Sequence, residues 1–167
     1  SLLYERLFKD RKSPGAILHF PPEPAFYPLL KSAGDYQTTD YLLKDVDFPG
    51  EDIQALSFED NAFGAILCNH VIEHVEDDEA AFKELKRILA PGGMAVITIP
   101  GDWNRRETVQ FPDLSHNGHY RDYGLDVIDR LKVIFDEVEA IDLYDEAGQN
   151  ADRFGLNQNY DLAFICR

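Results

Sequence analysis

The sequence has few cysteines and no long hydrophobic run. Of its 167 residues only Cys68 and Cys166 are cysteine, and both lie within apolar segments. This pattern favours buried thiols over a disulfide framework, a redox pair or a structural zinc site. No apolar segment reaches the roughly 18–20 residues that a membrane-spanning helix needs, and the charged N-terminal segment SLLYERLFKDRK is unlike a signal peptide. We therefore expect a cytoplasmic protein.

Basic residues are scarce relative to acidic ones. The chain has 16 Lys and Arg against 31 Asp and Glu, which gives a net charge of −15. Such a negative surface repels nucleic-acid phosphates and anionic lipids, so neither nucleic acid nor membrane is expected as a partner. The length and the hydrophobic fraction of 44% predict a single globular domain over residues 1–167, with residues 1–14 as an N-terminal helix and linker. Nothing in the composition predicts an oligomeric state.

Segments typical of strands and of helices alternate along the chain. The predicted strands, with a weaker one near Val46–Phe48, are Ala16–Phe20, Tyr36–Thr39, Ala62–Cys68, Met94–Ile99, Val138–Tyr144 and Asp161–Cys166. The predicted helices are Ser1–Lys12, Ala25–Lys31 opened by Pro24, a helix from the N-cap Asp77 to Pro91-Gly92-Gly93, and Leu125–Phe135. The alternation predicts an α/β fold with a doubly wound, mostly parallel sheet.

Ligands bind such sheets beyond the carboxyl ends of the strands. The residues expected there are Pro21–Pro24, Asp40 and Asn69–His74. His70, Glu73 and His74 also spell H-x-x-E-H, a spacing used by some zinc proteases. That motif needs a regular helix and a third ligand downstream, whereas this segment directly follows a predicted buried strand. No metal site is therefore predicted, and metal-dependent hydrolysis is kept as a minor alternative.

The segment from Asp52 to Pro100 resembles the core of the type-11 class I S-adenosylmethionine-dependent methyltransferases. In that family a segment like HVLEH ends a strand, and a helix like ALRELRRVLKPGG and a strand ending in proline follow. Here these read HVIEH, AAFKELKRILAPGG and MAVITIP. A narrower subgroup, with LHFAPEP, YVTADL, DHVRRYG and RYGL…FLCR, is similar to LHFPPEP, YQTTDY, GHYRDYG and RFGL…FICR of this chain.

The resemblance implies a Rossmann-like methyltransferase fold with an antiparallel last strand, and S-adenosylmethionine as the cofactor. It implies that Asp40, with Tyr41 beside it, binds the ribose hydroxyls and that Asp52 and Ile53 face the adenine. It also implies that Asn69 and His70 contact the cofactor, with Glu73 and His74 structural or facing the substrate. The alternative for Asp40 and Asp52 is that both are ordinary loop acids.

The first turn departs from the family pattern of an acid followed by G-x-G-x-G. His19 stands at the acidic position, and Pro21, Glu23 and Ala25 stand at the glycine positions. Proline fixes φ and lacks an N–H group, so the loop cannot hold the cofactor in the usual way. Either Phe20, Pro21 and Glu23 form a substituted cofactor loop, in which Glu23 receives the methionine amino group, or the pocket is impaired.

Enzymes of this fold commonly bind the methyl acceptor between the fifth strand and the next helix. That loop contains our candidate catalytic residues: His119 first and His116 second as the base, and Arg121 as a clamp for an anionic group. The alternatives are that Arg121 pairs with Asp113 or Asp122, and that His119 caps the next helix. The predicted function is methyl transfer to an oxygen or nitrogen of a small molecule. The alternative is a non-catalytic, methyltransferase-like binding module.

Overall fold

The structure is a computed structural model that describes residues 2–8, 15–114, 116–152 and 162–167. Its strands, in chain order, are β1 (Ala16–Phe20), β2 (Asp35–Asp40), β3 (Phe48–Pro49), β4 (Phe63–Asn69), β5 (Leu89–Thr98), β6 (Val109–Gln110), β7 (Arg121–Asp122), β8 (Val138–Asp142) and β9 (Leu162–Cys166). Its α-helices are α1 (Leu2–Phe8), α2 (Tyr27–Ala33), α3 (Asp78–Ile88), α4 (Asp126–Ile134) and α5 (Leu143–Ala147).

Seven strands form the main sheet in the order β3-β2-β1-β4-β5-β9-β8. The strands from β3 to β5 pair in parallel, whereas β9 runs antiparallel to both of its neighbours, β5 and β8. The predicted doubly wound sheet with an antiparallel last strand is confirmed, and β9 is inserted between two other strands. The strand order reverses between β1 and β4, where the topology places a ligand crevice.

The strands β1, β4, β5 and β9 each supply buried side chains to two separate hydrophobic layers. Leu18 and Ile66 pack with Phe82 of α3, whereas Ile17 and Leu67 pack on the opposite face with residues of α1 and α2. Side chains alternate between faces along a strand, so strands covered on both faces read as continuous apolar runs. This explains why the sequence of β4 is apolar throughout.

Both cysteines are buried and unbridged, as predicted. Burial raises the pKa of the Cys68 thiol, which keeps it protonated and unreactive. None of the helices that the structure describes is long and apolar enough to cross a membrane.

The largest differences from the predicted helices are at the start of α2 and at the end of α3. α2 begins at Tyr27, because Pro24 lies in a turn where the carbonyl of Glu23 accepts from the Phe26 N–H. α3 ends at Ile88, and the Pro91-Gly92-Gly93 segment belongs to β5, whose pairing with β4 shifts register there. Residues 9–12 of the predicted first helix and Asp161 of the predicted last strand lie outside the described residues.

Asp77 caps α3 as predicted, since its side chain accepts a hydrogen bond of 2.9 Å from the Ala80 N–H. We expect Asp77→Ala to lower the free energy of unfolding by about 1 kcal/mol, because a helix N–H loses its partner. Asp77→Asn keeps an acceptor at this position and should be close to wild type. Urea denaturation measures both values, and equal stability of the two variants would contradict the cap.

Candidate functional site

A cavity of about 230 Å³ lies beyond the carboxyl ends of β4 and β5. Its polar lining includes Glu23, from the turn after β1, with Asn69, His70 and Thr98 from the ends of the two strands, together with Tyr4 of α1 and Glu146 of α5. Apolar side chains of α1 and α5 complete the wall. The structure therefore brings together three predicted cofactor residues, Glu23, Asn69 and His70, at the crevice where the strand order reverses.

The buried side-chain amide of Asn69 connects four elements at this crevice. Its Oδ1 accepts hydrogen bonds from the Tyr4 hydroxyl at 2.6 Å and from Thr98 Oγ1 at 3.2 Å. Its Nδ2 donates to Glu23 Oε2 at 2.6 Å. Burial raises the pKa of Tyr4, which keeps that hydroxyl a donor. Two donors on one side of the amide and a carboxylate on the other fix its orientation.

Glu23 is held by donors from β1 and β4. Its Oε2 lies 3.6 Å from Nε2 of the fully buried His19, whose Nδ1 is 2.9 Å from the Tyr36 hydroxyl. Burial alone would raise the pKa of Glu23, but the hydrogen bonds from His19 and Asn69 outweigh it and lower that pKa. The result is a carboxylate, ionised at neutral pH, at the start of the loop where glycine was expected.

His70 adopts a left-handed backbone conformation, with φ of 52°. Non-glycine residues rarely do so, and such residues cluster at binding sites. The His70 N–H donates to the carbonyl of Thr98 at 2.9 Å, which extends the β4–β5 pairing by one residue. The ring stays largely exposed, and its Nδ1 lies 3.5 Å from Glu73 Oε1. His70 thus links the cavity to the segment that follows it.

Asp40 and Asp52 each organise their own loop. Asp40, at the end of β2, accepts through Oδ1 from the N–H groups of Leu42 and Leu43, both at 2.7 Å. Asp52 accepts through Oδ1 from both the backbone and the side-chain amide of Gln54. None of the described residues forms a hydrogen bond with the second oxygen of either carboxylate. Neither residue lines the cavity.

The other predicted cofactor residues occupy varied positions. Phe20 is buried at the end of β1, and Pro21 is half-buried just beyond it. Tyr41 is exposed after β2, whereas Ile53 is buried in the core. Because the side chain of Ile53 is buried, only its backbone is available to face a ligand.

His119 lies against the segment that follows β4. Its ring packs edge-on against the ring of His74, with centroids 4.8 Å apart. One donor atom each from Glu73, His74 and His119 lie within 4.8 Å of one another. Burial lowers the pKa of His119, and the Glu73 carboxylate opposes this. His116, the second candidate, is exposed and its ring stacks on Phe111 at 4.0 Å.

The predicted role of Arg121 is wrong. Its guanidinium is buried and donates to the carbonyls of Ile72, Val75 and Glu76, and it lies 3.5 Å from Asp78 Oδ2. It therefore cannot clamp an anionic substrate, and the alternative partners Asp113 and Asp122 are also wrong, since Asp122 pairs with Arg105. Arg121 instead holds the segment that carries Glu73 and His74.

The H-x-x-E-H segment does not form the arrangement of a zinc protease. Ile72–His74 is a single 3₁₀ turn, and His70 has a left-handed backbone conformation, so no regular helix presents the three side chains. Tyr4, Tyr36 and Thr98 were missed by sequence reasoning. The position of Thr98, last in β5 beside Asn69 of β4, was a usable signal for it. Tyr4 carried no such signal.

Residues 24–97 match the sequence profile of the family described as Methyltransferase domain. An uncharacterized 37.1 kDa protein in transposon TN4556 of Streptomyces fradiae is 36% identical over 83 residues, which are 50% of this chain and 24% of that protein. The 2-methyl-6-phytyl-1,4-hydroquinone methyltransferase of Synechocystis sp. is 37% identical over 65 residues, 39% of this chain and 20% of that enzyme. The chain thus spans about a fifth to a quarter of the length of the curated relatives it matches.

Solved methyltransferase structures share the fold. The Burkholderia thailandensis 1,6-didemethyltoxoflavin-N1-methyltransferase, solved with 1,6-didemethyltoxoflavin and S-adenosylhomocysteine bound, aligns with a TM-score of 0.68 at 13% identity. The alignment covers 99% of this chain and 75% of that one. The described sheet is therefore that of the Rossmann-like methyltransferase fold.

We expect Arg121→Lys to lower the free energy of unfolding by about 2–4 kcal/mol, because an ammonium group cannot reach the three carbonyls together. Arg106→Lys is the matched control. Arg106 is 80% exposed and contacts Asp129 at 3.4 Å, so its replacement should change stability by less than about 0.5 kcal/mol. Denaturant titration measures the free energy of unfolding of both variants. A similarly small decrease in the two variants would contradict the structural role of Arg121.

Proposed function

We propose that this domain transfers the methyl group of S-adenosylmethionine to an oxygen or nitrogen of a small-molecule acceptor. The family match and the fold support methyl transfer in general. The observation that carries the proposal is the hydrogen-bonded Glu23 carboxylate at the end of β1, beside Asn69 and His70. These groups lie in the crevice where a sheet of this order binds its ligand.

Glu23 takes the place of the glycine-rich loop. A glycine loop binds through backbone N–H groups, and Pro21 and Pro22 have none to offer. The hydrogen bonds to Glu23 from described residues all involve Oε2, so Oε1 is left to accept from the ammonium group of the methionine tail. The lowered pKa keeps this carboxylate charged, and its charge also favours the cofactor's sulfonium.

Asp40 and Asp52 complete the cofactor site in this proposal. Each uses Oδ1 to hold its loop, which presents the second oxygen in a fixed direction. At the end of β2, Asp40 accepts from the ribose hydroxyls, with Tyr41 beside it. Asp52 accepts from the adenine amino group, and the backbone of Ile53 lies against the ring.

In this proposal the methyl acceptor binds next to His70, between Glu73 and the loop from Trp103 to Tyr123. Methyl transfer is an in-line displacement, so the protein contributes mainly by positioning the two substrates. For a hydroxyl acceptor, a base must also take the proton. His119 is the proposed base, because it is half-buried next to the His70–Glu73 contact. His116, stacked on Phe111 and exposed, is the weaker candidate.

A binding module without catalysis is the second candidate, and the Pro21-Pro22-Glu23-Pro24 loop is the observation that favours it. The two functions differ in one measurable respect. A catalytic domain transfers labelled methyl groups from S-adenosylmethionine to an acceptor, and Glu23→Gln abolishes that transfer. A module binds its ligand and transfers nothing to any acceptor tested.

We expect Glu23→Gln to weaken S-adenosylhomocysteine binding roughly 10- to 100-fold, because a charge-assisted hydrogen bond is lost. Isothermal titration calorimetry measures the affinity. Glu79→Gln, on the exposed face of α3, is the matched control and should bind like wild type. No binding by the unchanged domain at millimolar ligand would reject the proposed function.

Asp40→Asn tests the ribose contact separately. Asparagine keeps an oxygen to accept from Leu42 and Leu43 but replaces the second oxygen with a donor. We expect an unchanged melting temperature and a roughly tenfold weaker affinity for S-adenosylhomocysteine. Unchanged affinity would remove Asp40 from the site.

A further inference from the structure

We propose that Glu73, His74 and His119 form a binding site for a divalent transition metal ion of the zinc type. The three residues come from two separate segments, the turn after β4 and the loop before β7. The proposal does not depend on methyl transfer.

The unpartnered oxygen of Glu73 is the first observation. The Glu73 side chain is 1% exposed, and Oε2 has no hydrogen-bond partner among the described residues. Its other oxygen contacts only histidine nitrogens, at 3.5 Å in His70 and 3.9 Å in His74. A buried carboxylate is costly unless it is paired or coordinates a metal. Among the described residues, no Lys or Arg side chain pairs with Glu73.

The hydrogen bonding of His74 points to the same position. Its Nδ1 lies 2.9 Å from the carbonyl of Gly118, which can only accept, so Nδ1 carries the proton. In the neutral ring, Nε2 is then a lone pair that faces the Glu73 carboxylate. A cation between these two acceptors, either a metal ion or a proton, would bind both. Metal-binding histidines commonly donate their other N–H to a backbone carbonyl in this way.

The backbone also holds the two segments together at this site. The Tyr120 N–H donates to the carbonyl of Glu73 at 2.8 Å, which places the neighbouring His119 beside the turn. The carbonyls of Ile72, Val75 and Glu76 are bound by the buried Arg121. The ligand-bearing segments are thus fixed in the absence of a metal.

Two imidazoles and one carboxylate are the ligand set of catalytic zinc sites, which leave a further position open. Donor atoms around tetrahedral zinc lie roughly 3.3–3.6 Å apart, as follows from bond lengths of about 2.0–2.2 Å. The candidate ligand atoms of Glu73, His74 and His119 lie within 4.8 Å of one another. Side-chain rotations that bring them about 1 Å closer would give the spacing of a zinc site. A metal held by these residues would supply Lewis-acid chemistry at the open position, and the base role proposed for His119 would then apply only to the metal-free domain.

Metal binding tests the proposal directly. The purified domain is stripped with chelator and dialysed against Zn²⁺, and bound metal is quantified by mass spectrometry. Titration with Co²⁺ reports the coordination through its visible absorption. We expect one equivalent of metal per chain. Glu73→Gln and His119→Ala should each weaken binding at least roughly tenfold, as the loss of even an indirect ligand contact does.

His116→Ala is the matched control, since it removes a histidine of the same loop that lies outside the group. It should bind metal like the unchanged domain. Less than one equivalent of bound metal per chain would overturn the proposal. Equal losses of metal affinity in His116→Ala and His119→Ala would also overturn it. Circular dichroism shows whether Glu73→Gln folds, and His119→Ala provides the test if it does not. Calorimetry with S-adenosylhomocysteine on the unchanged domain is run in parallel, so failure of the cofactor site is seen separately.

Discussion

The amide of Asn69 is the interaction on which the candidate site depends. It stands at the end of the most buried strand and binds α1 through Tyr4, β5 through Thr98 and the loop after β1 through Glu23. A buried amide with satisfied groups on both sides has one orientation, and it fixes those of its partners. Without it, Glu23 would be an ordinary carboxylate in a proline-rich turn.

The network shows how a methyltransferase fold can change its first loop and keep a polar site there. Glycine loops bind through the backbone, which needs free N–H groups and close approach. In the proposed site the prolines stiffen the loop, and the Glu23 carboxylate takes over the recognition of the cofactor. His19 stands where the family has an acid, and its Nε2 lies 3.6 Å from Glu23 Oε2 inside the sheet. The acidic group has in effect moved four residues along the chain, from position 19 to position 23.

Local patterns predicted the sheet well. The apolar run of β4, the cap at Asp77 and the alternation of elements are each encoded by residues that lie close together in sequence. Such patterns can be recognised without knowing the tertiary contacts. The start of α2 was wrong because Pro24 suits both a first helical position and a turn. The hydrogen bonds of the Glu23 and Pro24 carbonyls selected the turn.

The candidate site was only partly predictable, because its contacts cross long stretches of sequence. The ligand rule for parallel sheets located Glu23, Asn69 and His70. It could not show that Arg121 turns inward to bind the carbonyls of the segment after β4. Nor could it show that His119 meets Glu73 and His74, since spacing within H-x-x-E-H says nothing of a residue 45 positions beyond His74. Tyr4 reaches Asn69 across 65 residues, and no motif marks it.

A crystal structure of the domain grown with S-adenosylhomocysteine tests the central claim most directly. We expect the ligand in the crevice between β1 and β4, with its amino group about 3 Å from Glu23 Oε1 and its ribose at Asp40. A ligand bound elsewhere, or one whose amino group is held by other residues while Glu23 keeps only its contacts to His19 and Asn69, would contradict the account.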